Sequence, residues 1–224
     1  MKKFLFILMI ALLAVLAACG EDKEGNKEPK DIVLEEDEKV DEEKIVITIN
    51  EEDVNGKQYN TTYLQTKILA YQLGQDIDDK ENIKDITLNE IIAQELIKQE
   101  AEKHGILPSE ELVQEELDAL KEQGEEQFNA YKEQFGLTEE SLKDQIRFKQ
   151  ILNQFIDQEI EVEEVTEEEI KEAYDNLKED MENIMEYEEA EPIIKDQLTQ
   201  QREADALKVR VEELMETAEI KKHI

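Results

Sequence analysis

No glycine follows Gly136, so the last 88 residues of this 224-residue chain lack the side chain best suited to positive φ. Tight β-hairpins are built on such positions, and a turn-rich β domain is therefore not expected in the C-terminal half. The earlier glycines stand where helices would stop, as at His104-Gly105, Gly124 and Gly136. There is no Trp, aromatic residues make up 5%, and the apolar content is mainly Leu and Ile. A thin, helical core is the consequence.

Apolar periodicity gives the elements. Residues 45–49 (IVITI) form the one convincing strand, and Asp53-Val54-Asn55-Gly56 supplies turn chemistry for a second strand near 57–60. Thr61 or Thr62 then caps a helix to about Leu73. A polar loop leads to a helix after Thr87, with Leu88, Ile91, Ile92 and Leu96 on one face. Pro108-Ser109 opens the next helix, with Leu112, Val113, Leu117 and Leu120 on one side, and a shorter one carries Phe128, Tyr131 and Phe135. Thr138 caps a long helix, and Thr166 with Glu169 has the spacing of a capping box. Pro192 suits the first position of a last, long helix, after which residues 220–224 form a short closing strand beside 45–49. The fold class is mainly α, with a small hairpin or short strands at its ends.

The N-terminus has a different character. Lys2 and Lys3 precede an apolar run over residues 4–14 that is too short to span a bilayer. Leu16-Ala17-Ala18-Cys19 follows and resembles the lipobox of bacterial lipoproteins. That resemblance implies removal of residues 1–18 as a signal peptide, diacylation of Cys19, and a membrane anchor on the extracytoplasmic face. Two acyl chains hold a protein stably at a bilayer. Cys19 is the sole cysteine, so no intramolecular disulfide forms. Without the signal the chain has 24 basic and 60 acidic side chains, a net charge of −36. Nucleic acid is thereby excluded as a partner, since phosphate binding needs clustered Lys and Arg. Residues 19–44 are expected to be a disordered acidic tether, because 17 of the 25 residues in 20–44 are charged. Residues 45–224 are expected to be the folded domain.

Chemistry-bearing patterns are sparse. His104 sits where a cation favours a helix end, and His223 near the C-terminus is expected to be solvated. Neither accompanies a nucleophile in a recognisable pattern. The run Asp76-Ile77-Asp78-Asp79 hints at calcium, but an EF-hand loop starting there would need Gly and Glu where Glu81 and Thr87 stand. Phosphate-binding glycine patterns are missing. No catalytic residue, cofactor or metal is expected.

Three segments, in this order and spacing, carry a family likeness: residues 94–117 (QELIKQEAEKHGILPSEELVQEEL), 135–156 (FGLTEESLKDQIRFKQILNQFI) and 165–175 (VTEEEIKEAYD). They resemble the N-terminal chaperone region of SurA-type and PrsA-type foldases, and residues 193–220 resemble the helix that returns to pack on it. Those families usually insert glycine-rich parvulin prolyl-isomerase domains between the two segments. Here about 16 glycine-free residues separate Asp175 from Glu191. The resemblance thus implies the chaperone scaffold without its isomerase: a lipid-anchored, non-enzymatic holder of unfolded secreted polypeptides, with no oligomeric state implied. Within that scaffold Tyr174, Leu177, Met181, Ile184, Met185 and Tyr187 are the candidate client-binding residues, methionine being adaptable to varied partners. The competing reading is an adaptor lipoprotein, its helices closed around their own core and docking one dedicated envelope partner.

Overall fold

A computed structural model describes residues 32–180 and 185–224. They fall into two compact units, residues 32–152 with 214–224, and residues 153–180 with 185–213. The expected signal peptide and Cys19 lie outside the described residues. The domain expected to begin at residue 45 begins earlier, and it divides in two.

In the first unit β1 (Ile45–Ile49) is the centre of an antiparallel sheet, flanked by β2 (Glu52–Asn55) and β3 (Ile220–Lys222). The closing strand expected beside residues 45–49 is therefore present. The turn lies elsewhere than expected. Ile49 pairs with Glu52, leaving Asn50 and Glu51 as a two-residue connection in which Asn50 takes φ 49°. Asn55 and Gly56, which read as a hairpin turn, instead start a helix. The Asn55 carboxamide oxygen accepts the Gln58 N–H at 3.1 Å, and α1 runs over Gly56–Gln72. A Cβ on Gly56 would lie 1.9 Å from the Asp41 carbonyl oxygen, so glycine is required by the backbone passing over it. Thr61 and Thr62 do not cap; inside the helix they donate to the Lys57 and Gln58 carbonyls.

α2 (Lys80–Lys103) likewise begins a full two turns before the expected site. Asp79 caps it by accepting the Asn82 N–H at 3.1 Å, while Asp76 accepts from Asp78 N–H at 3.0 Å. Thr87 is buried in mid-helix and donates to the Ile83 carbonyl at 2.7 Å. α3 (Glu110–Glu122) is capped by Ser109 as expected, and Gly124 with φ 150° separates it from α4 (Glu125–Gln134). Of the side expected to be apolar on α3, Val113 and Leu117 are buried, whereas Leu112 is exposed. α5 (Glu139–Glu159) follows Thr138, whose hydroxyl accepts the Ser141 N–H at 3.1 Å.

Among the described residues, two apolar clusters lie in this unit. One joins Val46, Ile47 and Ile49 of β1 to Tyr59 and Tyr63 of α1 and Ile83, Ile91 and Ile92 of α2. The other gathers Ile32, Ile68, Val113, Leu117, Phe128 and Leu142. The C-terminal helix returns to the first cluster through Leu214 and Met215, just before β3.

Residues 32–44, expected to be unstructured, are folded as a strap. Ile32 is buried in the second cluster. Glu38 accepts both 2.7 and 2.8 Å hydrogen bonds from the Lys67 ammonium, and the side chains are 0% and 6% exposed. Val40 exchanges two hydrogen bonds with the Asn60 carboxamide, at 2.9 and 2.8 Å. The Gly56 and Lys57 N–H groups, orphaned at the start of α1, donate to the Lys44 and Glu42 carbonyls. Lys80 binds Glu35 and Asp37 at 2.9 and 2.8 Å. Charge density misled the sequence reading because one buried apolar side chain, one buried ion pair and backbone carbonyls that cap α1 are enough to fix a segment of hydrophilic average.

The second unit contains α6 (Glu167–Asp180) and α7 (Tyr187–Thr217) up to Glu213. Pro192 does not begin the last helix but is its sixth residue, where it removes one i→i−4 hydrogen bond near the N-terminus.

Candidate functional site

The α6–α7 hairpin is set up by its caps. Glu169 N–H donates to the Thr166 hydroxyl at 3.3 Å, and the Glu169 carboxylate accepts the Thr166 N–H at 2.8 Å and its hydroxyl at 2.7 Å. This is the capping box read from the sequence. Arg202 of α7 pairs with the same carboxylate and donates to the Glu163 carbonyl at 2.8 Å. These bonds, the Thr166 backbone first among them, hold the Glu169 carboxyl below its ordinary pKa.

Between the helices Val165, Ile170, Tyr174, Ala190 and Ile194 are buried together. Tyr174, expected to line a client surface, is thus core. Its hydroxyl donates to the Met185 carbonyl at 2.9 Å, and its ring meets that of Tyr187 edge-on, centroids 5.2 Å apart. Tyr187 is half-buried. Desolvation, with the charges of Glu191, Glu167 and Asp175, pushes its phenol up. The other candidates divide. Leu177 and Met185 are exposed, at 38% and 48%, while Met181 and Ile184 lie outside the described residues.

The structure adds Ile193, 47% exposed on α7. In the structure Ala190 and Ile194, four apart, form the inward stripe of this part of α7. A second apolar residue one position before that stripe was the available signal. In the first unit Leu107 and Leu112 are exposed on either side of the Ser109 cap.

The histidines do structural work. His104 is the C-cap of α2, its Nε2 3.7 Å from Glu100 Oε1. His223 is exposed, as expected, yet its Nε2 lies 2.9 Å from the Thr48 hydroxyl, which donates to Asp53 at 2.7 Å. A hydrolytic triad needs the carboxylate on the imidazole; here it is on the hydroxyl. What the hairpin can do chemically is bury apolar surface beside carboxylates.

Residues 1–156 match the family model of the SurA-like N-terminal domain. No curated protein and no solved structure matches the chain. The matched domain is of the chaperone type and is not a catalytic one.

Proposed function

The chain belongs to the SurA-like N-terminal domain family, and on that premise we propose that it is a membrane-anchored extracytoplasmic chaperone. It holds unfolded secreted polypeptides by covering their apolar segments and has no isomerase activity. The observation that carries this reading is the family match over residues 1–156, supported by Leu177, Met185 and Ile193 left in solvent on one hairpin. Binding to unfolded chains suppresses aggregation by mass action, without nucleotide or covalent chemistry. Cys19, following Leu16-Ala17-Ala18, supplies the lipid anchor.

The test is aggregation of several unrelated, chemically unfolded proteins diluted into buffer with the full chain. Suppression at near-stoichiometric ratios is expected for all of them, with no acceleration of proline-limited refolding. Indifference to these clients together with capture of a single native envelope protein would assign the chain to the adaptor class instead. For the anchor, labelled palmitate should enter the wild-type protein in a bacterial host and not the Cys19→Ala variant.

A further inference from the structure

We propose that the α6–α7 hairpin, through the exposed side chains of its described residues, selects client segments whose apolar core is flanked by lysine or arginine. This deepens the chaperone reading and rests on it. The apolar residues offered are Leu177 of α6, Met185 just before α7 and Ile193 of α7, all exposed on the hairpin that buries Tyr174 beside Tyr187. Among the described residues none of the three belongs to the hairpin's own apolar cluster.

The occupant is argued from charge. Residues 167–193 carry twelve carboxylates and two ammonium groups, Lys171 and Lys178. Glu186, Glu188 and Glu189 are exposed next to Met185, and Tyr187 feels the charges of Glu191, Glu167 and Asp175. An uncharged apolar segment gains from Leu177, Met185 and Ile193 alone. One with cationic flanks also gains from the surrounding field, whereas an acidic one is repelled.

Binding of labelled peptides to the full chain tests this, by fluorescence anisotropy, with one apolar core flanked by Lys, Ser or Glu. The Lys-flanked peptide should bind about tenfold more tightly than the Ser-flanked one at low salt, with most of that advantage gone near about 0.5 M salt. The Glu-flanked peptide should bind weakest. Changing Glu186, Glu188, Glu189 and Glu191 together to Gln should erase the preference and leave Ser-flanked binding unchanged. The double variant Leu177→Ser, Met185→Ser should weaken all three, with helical circular dichroism confirming that each variant folds. Equal binding of the Lys- and Ser-flanked peptides, or a Gln variant that keeps the preference, overturns the inference while leaving the chaperone reading standing. No binding by any peptide, with aggregation unsuppressed, removes both.

Discussion

The sheet-centred core and the α6–α7 hairpin are stabilised by different kinds of contact. Around β1, α1 and α2, twelve hydrophobic residues are buried together among the described residues, and the polar strap over α1 is fixed at its middle by a desolvated Glu38–Lys67 pair. The hairpin cluster has five such residues among the described ones, and a tyrosine hydroxyl donates to a carbonyl beside it. Interior apolar area is what resists unfolding, at roughly 1.5–3 kcal/mol per fully buried large side chain. The contrast teaches that the first region is held by a large buried core and an ion-paired strap, while the second depends on a small core and the caps and hydrogen bonds around it.

Mutations can break that contrast. Lys67→Ala should be among the most costly changes, about 3–5 kcal/mol in chemical denaturation, because it leaves Glu38 buried without its counter-charge. The double variant Lys67→Met, Glu38→Leu should recover most of the loss; no recovery would mean that the strap needs the ion pair itself. Ile91→Ala should cost about 2–5 kcal/mol for the same region, through the cavity it leaves. In the hairpin, Thr166→Ala should cost only about 1 kcal/mol through loss of the cap. Tyr174→Phe should cost about 0.5–1.5 kcal/mol, and amide exchange should place both effects in α6.

The smallest expected effect is that of acid. Glu110, bonded to Arg147, and Glu139, bonded to Lys121, have carboxyls held below the usual range, as does Glu169. Their contribution is fully present above the ordinary glutamate pKa of about 4.3 and is lost as pH falls through the lowered folded values. All three are solvent-facing, so salt should shrink the effect further. Carbon-13 titration of the glutamates should find these three below the main group. Titration with that group would place the ion pairs among contacts of no consequence.

Much of the helical plan was legible because its punctuation is chemical: Ser109, Thr138 and the Thr166–Glu169 box all cap where their spacing indicates. Errors arose where one residue type suits two tasks. Asn55-Gly56 matches a hairpin turn and a helix start equally well, and only the Asp41 carbonyl over Gly56 decides between them. Thr87 suits a cap but sits inside α2, since Asp79 lies upstream with the same capability. The strap was invisible because its anchoring partners, Asn60, Lys67 and Lys80, are 20 to 45 positions away. At the candidate surface, periodicity selects apolar residues without saying which are covered. Tyr174 and Leu177, three apart on α6, ended on opposite sides of that division.

With the lipid anchor proposed above, the strap would also set a leash length. Among the described residues its first packed side chain is Ile32, 13 positions from Cys19. An acylated cysteine there would let the body stand off the lipid by at most about 45 Å, roughly half of what a free run to residue 45 would permit. Clients emerging from the membrane would then be met close to their exit rather than out in the surrounding medium.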